Sequence, residues 1–289
     1  MKRYCGRDFT DAELDAISRL IAQSPTLTRA DLSRLTCRQL GWFKPDGGLK
    51  EMSCRVAMLR MQDDGLIRLP APRATNLRPR STPPTRATDP QPELRQPVHE
   101  LPALRFQPVV SRKDSRLWNE YIQRYHYLGF TPLPGAQIRY FVTAQGRLVA
   151  LLGFGASAWA TAPRDRFIGW TPQQRQDRLH LIVNNARFLI LPWVHCPGLA
   201  SKILGRVARQ LPSDWQSRYG YRPVLLETFV ETPRFRGTSY RAANWIPVGQ
   251  TQGRGKLGPP KKISVPIKDI WLYPLARNFR QILTQQPET

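Results

Sequence analysis

Apolar positions in the first 69 residues recur at the spacing of helices. The segment FTDAELDAISRLIAQ carries them three and four residues apart, on one face of a helix. A second helix is predicted in TRADLSRLTCRQLGW, where Thr28 and Asp31 can bond the free amides of its first turn. A third helix follows in LKEMSCRVAMLRMQDD, and the run LIRLP after Gly65 predicts a short strand.

The third predicted helix separates apolar from basic side chains. Met52, Val56 and Leu59 are expected to face the core of this small domain, and Met61 can join them. Three basic residues are expected to face outward and contact DNA: Lys50, Arg55 and Arg60. Helix, helix, basic helix and strand is the order of a winged helix, whose third helix enters the major groove. A small helical module that contacts another protein would show the same pattern.

The helical periodicity ends at residue 70. Residues 70–102 are crowded with prolines, carry several arginines and contain few large apolar side chains. Such a composition is typical of an extended, unpacked segment, because it offers little surface to bury. The chain is therefore predicted to contain a winged-helix-like domain over residues 1–69, a basic linker over 70–102, and one larger domain over 103–289.

In the larger domain, strand-like and helix-like patterns alternate. FQPVVSR predicts a strand, SRLWNEYIQRYHYLG a helix, and IRYFVTAQGRLVALLGFGAS a hairpin that turns at Gly146. After a stretch expected to be irregular come the strand HLIVNNARFLIL, the amphipathic helix ASKILGRVARQLPSDW and the buried strand PVLLETFV. A short helix in TSYRAANW and a last strand in WIPVGQTQG complete an α/β or α+β domain with a central mixed sheet.

The balance of charge adds a functional expectation to this fold. The sequence has 44 Lys and Arg against 21 Asp and Glu, with a pI of about 10.8. Such an excess predicts attraction to polyanions, above all DNA or RNA, although a merely basic surface is the alternative.

Cysteine and histidine usage indicates neither a metal site nor a disulfide framework. The four cysteines are scattered with no C-x-x-C pair, and the four histidines are not clustered with them. The first residues have no apolar run of the kind found in secretory signals, and the longest apolar stretches are too short to span a bilayer. We expect a reduced, soluble, cytoplasmic protein that does not contact a membrane.

The order of elements in the larger domain resembles that of the GNAT (Gcn5-related N-acetyltransferase) fold. Members of that fold hold the CoA pyrophosphate with a Gln/Arg-x-x-Gly-x-Gly/Ala turn between the fourth strand and the next helix. The junction here, WVHCPGLASKILG, presents His195, Gly198 and Ala200 in register, followed by Ser201. The resemblance implies acetyl-CoA or another acyl-CoA as cofactor, held by the first amides of the helix. His195 replaces the usual Gln or Arg, and Pro197 removes one amide donor.

Four further motifs occur in the same domain, namely YHYLGFTPLPGAQIRY, NNARFLILPWV, PVLLETFV and RFRGTSYRAANWIPVGQTQGRG. Together they resemble the DruA family, a component of the Druantia anti-phage system, over about residues 103–285. Relatives in that family also occur beside transposases or fused to them. The first motif also resembles Mom-type phage proteins, which are GNAT relatives that modify adenine in DNA. These resemblances imply a DNA-associated defence or mobile-element protein whose partner is a helicase or transposase of the same system.

Under a GNAT-like fold, an aromatic motif and a downstream tyrosine become catalytic candidates. His126, within YHYLG, has the unperturbed pKa of a general base near neutral pH, but it could instead bridge backbone groups at a helix end. Tyr127 or Tyr125 could stack on a nucleobase or belong to the core. Tyr240 corresponds to the tyrosine that GNAT enzymes often use as general acid, and packing on the sheet is its alternative role.

The acidic and basic candidates lie near the ends of the predicted strands. Glu227 is an acid within an apolar strand, so it is either a base or one half of an ion pair with Arg187 or Arg236. Asn184 and Asn185 could bond a base edge or cap a turn. Nucleic-acid contacts in this domain are predicted for Arg187, Arg234, Arg236, Arg254 and Lys256.

Three functions of different classes are compatible with this sequence. The first is a GNAT-like transferase that acts on nucleic acid. The second is a transposase- or nuclease-like phosphoryl-transfer protein, although the larger domain shows no obvious spacing of the two or three carboxylates that two-metal chemistry needs. The third is a non-catalytic DNA-binding adaptor that recruits a helicase or transposase.

Overall fold

The computed structural model describes residues 1–45, 47–72, 84–253 and 265–285. The chain forms two compact units, Met1–Thr82 and Pro83–Thr289. The boundary therefore lies inside the predicted linker rather than at its end.

The first unit is a small helical domain that begins with a β-hairpin. Its elements are β1 (Lys2–Tyr4), β2 (Arg7–Phe9), α1 (Asp11–Gln23), α2 (Arg29–Gln39) and α3 (Glu51–Asp63). The three predicted helices are present. Thr10 and Glu13 form a reciprocal capping box at the start of α1, and Thr28 accepts a hydrogen bond from the amide of Asp31 in α2. The core joins the hairpin to all three helices through residues such as Phe9, Ile17, Leu32 and Met58.

The buried face of α3 differs from the predicted one. The prediction placed large side chains inside, but Met52 is 61% exposed and Val56 is also exposed. The residues that α3 buries are Cys54, Ala57, Met58 and Met61. Met61 is buried as predicted, but Cys54 and Ala57 are small and were missed, because the periodicity was read from the large side chains alone.

The predicted wing and basic face are only partly present. Residues 66–70 form no strand, so the segment LIRLP is extended without a partner strand among the described residues. Lys50 and Arg55 are partly buried rather than outward, and burial lowers the pKa of Lys50. Arg60 is exposed, as predicted. The winged-helix prediction is therefore not confirmed.

The second unit is built around a seven-stranded mixed sheet and has a separate pair of short strands. The strands of the unit are β3 (Leu94–Arg95), β4 (Arg105–Pro108), β5 (Ile138–Ala144), β6 (Arg147–Ala156), β7 (Ile182–Ile190), β8 (Val194–His195), β9 (Leu225–Glu231), β10 (Ile246–Gln250) and β11 (Lys268–Pro274). The main sheet has the order β10-β11-β9-β7-β6-β5-β4, and β3 pairs with β8 separately. All neighbours in the main sheet are antiparallel except β7 and β9. The predicted mixed sheet is confirmed.

Helices cover this sheet and account for the rest of the element order. They are α4 (Arg112–Tyr125), α5 (Ala162–Ile168), α6 (Pro172–Arg178), α7 (Leu199–Tyr219), α8 (Thr238–Ala242) and α9 (Phe279–Thr284). The amphipathic α7 buries Ile203, Leu204, Val207 and Leu211 against the sheet. No helix among the described residues combines the length and apolar content needed to cross a membrane.

Three helices and three strands of this unit were not predicted, and two of those strands, β3 and β8, are only two residues long. The stretch expected to be irregular contains α5 and α6, and α6 begins with a capping box formed by Thr171 and Gln174. The strand predicted to be last, β10, lies at the sheet edge, because β11 inserts between it and β9. The run of buried residues Ile270, Trp271 and Leu272 marks β11 as a strand. Helix α9 follows β11 and was also missed.

Residues 84–102 pack on the second unit, so the prediction of an unpacked linker is wrong for them. Leu94 and Leu101 are buried in the main core, and the amide of Leu94 donates to the carbonyl of Trp193 at 2.8 Å. The hydroxyl of Tyr125 donates to the carbonyl of Thr88 at 2.7 Å, and Thr88 is fully buried. A few leucines and the main-chain polar groups of residues 84–102 therefore hold this segment against the second unit, although its amino-acid composition predicts an unpacked linker.

A pair of fragments tests this boundary. A fragment starting at Pro83 should fold, whereas one starting at Ala103 should lose most of its stability. Burying each of Leu94 and Leu101 is worth about 1.5–3 kcal/mol and each hydrogen bond about 1 kcal/mol, against a total of about 5–15 kcal/mol for a domain. Urea unfolding followed by circular dichroism measures the difference, and equal midpoints for the two fragments would contradict the packing described above.

Candidate functional site

A cleft opens where the two parallel strands of the sheet stop pairing. Strands β7 and β9 pair only over Ile182–Asn184 and Leu225–Glu227. At the next position the hydroxyl of Thr228 donates to the carbonyl of Asn185 at 3.0 Å, in place of a backbone amide. A register shift in the pairing of β6 with β7 lies beside the same residue, because Phe154 pairs with Asn185 whereas Gly153 pairs with Arg187. A side chain thus ends the ladder, and a cavity of about 450 Å³ lies beyond it.

The cleft wall is largely aromatic. It receives residues from the end of α4, from β7 and β9, from the start of α7 and from the segment that enters α8. Aromatic side chains on this wall include Tyr125, His126, Tyr127, Phe188, Phe235 and Tyr240. The polar side chains there are Asn185, Thr228, Arg236, Thr238 and Ser239. The structure therefore brings three of the four predicted catalytic residues, His126, Tyr127 and Tyr240, to one site.

Tyr240 and Asn185 form the polar floor of the cleft. The hydroxyl of Tyr240 donates to Oδ1 of Asn185 at 2.9 Å, and Asn185 is buried. Burial raises the pKa of Tyr240 to about 12, so the phenol is protonated at neutral pH. Its proton is engaged by Asn185, and its oxygen keeps a lone pair for a ligand. Asn185, which the sequence offered as either a base contact or a turn cap, instead orients Tyr240.

His126 caps the end of α4 and accepts a hydrogen bond at one of its two ring nitrogens. The amide of Leu128 donates to its Nδ1 at 3.2 Å, which assigns the proton of the neutral ring to Nε2. Burial, assisted by the positive charge of Arg187, lowers the pKa of His126 to about 4. At neutral pH the ring is uncharged and its Nε2–H can donate. The predicted role of general base does not fit this geometry, because the accepting nitrogen is already occupied.

Tyr127 and Phe235 stand together at the mouth of the cleft. Their ring centroids are 5.0 Å apart with an angle of 62° between the planes. The ring of His126 stacks on Tyr127 at 4.9 Å, and the guanidinium of Arg234 lies 4.9 Å from the Tyr127 centroid. Phe235 was not singled out from sequence, although it lies within the RFRG motif and is 43% exposed.

Glu227 points away from the cleft and is structural. Its carboxylate accepts from Arg164 at 2.8 Å and from the amide of Ala158 at 2.7 Å, and both charged side chains are fully buried. Burial raises the pKa of Glu227, while the positive charge of Arg164 acts against the rise. These contacts favour the ion-pair alternative for Glu227 over a catalytic role, and its partner is Arg164 rather than Arg187 or Arg236. Arg164 lies in the stretch expected to be irregular, so no sequence signal pointed to it.

The predicted coenzyme turn reaches the cleft only at its helical end. Ala200 lines the cleft, and the amides of Ala200 and Ser201 donate no hydrogen bond among the described residues. His195 is exposed on β8 and does not line the cleft, with Nε2 3.9 Å from Glu93.

Gly198 caps α7 with a φ of 81°, and a Cβ there would lie 3.3 Å from Val98. The glycine is thus required by helix geometry and by packing of residues 84–102 rather than by a ligand. Two amides at the start of a 21-residue helix fit a phosphate group.

The cationic candidates divide between the two units. Arg234 and Arg236 are exposed beside the cleft, and Arg187 donates to Thr131 at 2.7 Å near His126 and Tyr127. Lys50, Arg55 and Arg60 belong to the first unit. Arg254 and Lys256 lie outside the described residues. Among the described residues no three His, Cys, Asp or Glu side chains converge as a metal site would require.

Comparison with known proteins defines the family of this chain. A family model described as Druantia protein DruA matches residues 60–261. The chain belongs to the DruA family. The match contains the whole cleft of this DruA-family protein but only the last part of the first unit. No protein among the curated ones matches its sequence.

Solved structures with a remote likeness to this DruA-family chain include N-acetyltransferases. A chimera of Vibrio cholerae spermidine N-acetyltransferase is 12% identical, and the match covers 60% of this chain and 95% of that one with a TM-score of 0.38. The Escherichia coli ribosomal-protein-S18-alanine N-acetyltransferase is 11% identical, with coverage of 60% and 95% and a TM-score of 0.35. An N-acyl amino acid synthase from uncultured soil microbes is 11% identical, with coverage of 65% and 96% and a TM-score of 0.38. These values describe a remote likeness, and nothing about ligands follows from them.

The protonation of His126 can be tested by NMR titration of the imidazole. We expect no change of charge between pH 5 and 8 and a midpoint near pH 4. Since this pKa lies below the unfolded value of about 6.5, the unfolded chain binds more protons between those two pH values. The free energy of unfolding should therefore fall as pH falls through that window. A His126→Asn variant assigns the resonance, and a midpoint between pH 6 and 7 would refute the assignment.

The ion pair of Glu227 and Arg164 can be tested by unfolding. Glu227→Ala leaves a buried, unpaired guanidinium and should lower the free energy of unfolding by about 3–5 kcal/mol. The double variant Arg164→Met with Glu227→Leu should recover much of that loss, because it removes both charges at similar volume. Urea unfolding measures both values. Unchanged stability in Glu227→Ala would mean that the carboxylate is not held as described.

Proposed function

We propose that this protein acts on DNA in anti-phage defence and that its cleft is the substrate site of a GNAT-like transferase. The observation that carries the proposal is the cleft itself, which opens where two parallel strands stop pairing, between aromatic walls and a polar floor. The cleft lies on the carboxyl-terminal side of that pairing, which is the side where sites in open α/β sheets usually lie. Membership of the DruA family supports the defence role, and the large excess of positive charge supports association with nucleic acid.

The polar side chains in the cleft are suited to positioning a group for transfer. His126 offers Nε2–H to an acceptor such as a carbonyl oxygen, and the oxygen of Tyr240 can accept from an amine of the substrate. Both groups are held by neighbours, because Leu128 fixes the imidazole and Asn185 fixes the phenol. A site held in this way loses little entropy when the substrate binds.

An acyl-CoA is the donor that this site would use. The amides of Ala200 and Ser201 would hold a phosphate of the coenzyme, since they are unpaired within the described residues and Ala200 lines the cleft. When bound, the coenzyme supplies an activated acyl group.

A non-catalytic adaptor is the second candidate. Val98 packs against Gly198, Nζ of Lys202 donates to the carbonyl of Val98 at 2.7 Å, and His195 faces away from the cleft. Residues 84–102 therefore cover part of the turn that would otherwise approach a coenzyme. Under this alternative the protein would bring a helicase or transposase of the same system to DNA.

Calorimetric titration of acetyl-CoA into the full chain tests the donor site. Saturable binding is expected, and Ala200→Asp should weaken it at least tenfold, or by about 1.4 kcal/mol, because it places a carboxylate beside the phosphate. Ser213→Asp adds the same charge at an exposed position of the same helix and should bind normally. Gly198 is a poor position for this test, because its left-handed conformation penalises any substitution.

Absence of binding at millimolar acetyl-CoA would exclude the transferase and favour the adaptor. Equal weakening by the two Asp variants would show that the coenzyme responds to overall charge rather than to the start of α7.

A further inference from the structure

Large apolar side chains are exposed at the mouth of the cleft. Tyr127 is 38% exposed, Leu128 41% and Phe235 43%, and they lie on two segments that are far apart in sequence. Apolar side chains clustered in this way, beside a cavity, mark binding surfaces more often than they mark incomplete packing. The packed core of this unit is already complete beneath them.

The charges around this mouth are positive. Arg234 lies against the ring of Tyr127, and its contact with Glu231 is long, at 3.7 Å. Arg236 lines the cleft and forms no hydrogen bond or ion pair within the described part of the chain. A guanidinium left without a protein partner beside exposed aromatic rings is the arrangement that binds a phosphate next to a stacked base.

The size of the cleft limits what can enter it. Its volume of about 450 Å³ is within the range of small-ligand sites. A base pair within a duplex cannot enter such a space, so a nucleobase would have to leave its stack or come from a single strand. The polar floor offers both kinds of hydrogen bond that a base edge needs, through Nε2–H of His126 and the oxygen of Tyr240.

We infer that the cleft receives one nucleobase of a single-stranded nucleic acid. The base packs against Tyr127 and Phe235, and the flanking phosphates contact Arg234 and Arg236. This inference rests on the proposed function, since it names the class of substrate that the cleft accepts. The shared chemistry of a stacked ring and a neighbouring phosphate occurs in both DNA and RNA.

The first test measures binding of a fluorescein-labelled 12-nucleotide single strand to the full chain by anisotropy. Loss of a stacking side chain in Phe235→Ala or Tyr127→Ala should weaken binding roughly 5- to 150-fold. Val110→Ala removes an equally apolar side chain that is 80% exposed and does not line the cleft, and it should bind normally. Arg236→Gln should lower the slope of log K against log salt by about 0.7. DNA and RNA strands of one sequence identify the preferred sugar.

A second measurement locates the base. A single 2-aminopurine in the strand should change its fluorescence on binding, and Phe235→Ala should abolish the change. A duplex of the same sequence serves as competitor, because other basic surfaces of the chain can bind it. Unchanged affinity in both aromatic variants, or equal sensitivity of duplex and single strand to them, would overturn the inference.

The two proposals fail in different ways. Binding of the single strand without binding of acetyl-CoA would retain the base site and exclude the transferase. Binding of acetyl-CoA with no effect of Tyr127 or Phe235 on the single strand would exclude the base site alone. Since both rings are partly exposed, the truncated variants should still unfold in one cooperative transition, and that measurement accompanies each variant.

Discussion

The cleft depends on a parallel pairing that lasts for three residues and then ends. Beyond Asn184 and Glu227 the hydroxyl of Thr228 takes the place of a backbone amide and satisfies the carbonyl of Asn185 where the two strands separate. On the opposite face, Arg164 and Glu227 hold β9 to α5 with charges that are fully buried and therefore must remain together. The two strands can separate after Glu227 because the ion pair with Arg164 holds β9 in place at that residue.

Much of the second unit could be predicted because its strands and long helices carry strong patterns. The apolar run of β9 and the amphipathic spacing of α7 each define one element, and the hairpin of β5 and β6 turns where Gly146 has a φ of 74°. The pattern fails where tertiary contacts decide. Strand β11 inserts between two strands that precede it in the chain, and α3 buries Cys54 and Ala57 while Met52 and Val56 stay exposed. The periodicity of large apolar side chains indicates one face of an element, whereas the face that is buried also depends on which other elements pack against it.

For the candidate site, the sequence likewise indicated which residues come together but not how their side chains are paired or protonated. Sequence reasoning placed His126, Tyr127 and Tyr240 together through a family resemblance, and the structure puts all three in one cleft. It could not assign their protonation, because the tautomer of His126 follows from one backbone amide. It also assigned Glu227 to chemistry, since a buried acid looks alike whether its partner is a substrate or an arginine 63 residues away.

The contacts that hold residues 84–102 are made mostly by main-chain atoms. Tyr121 and Tyr125 donate to the carbonyls of Ala87 and Thr88, and Lys202 donates to that of Val98. Every amino acid supplies a carbonyl, so such contacts place few demands on side-chain identity. Substitutions at the exposed positions of this segment should therefore be tolerated while its path along α4 and α7 is kept, provided that Thr88, Leu94 and Leu101 remain buried.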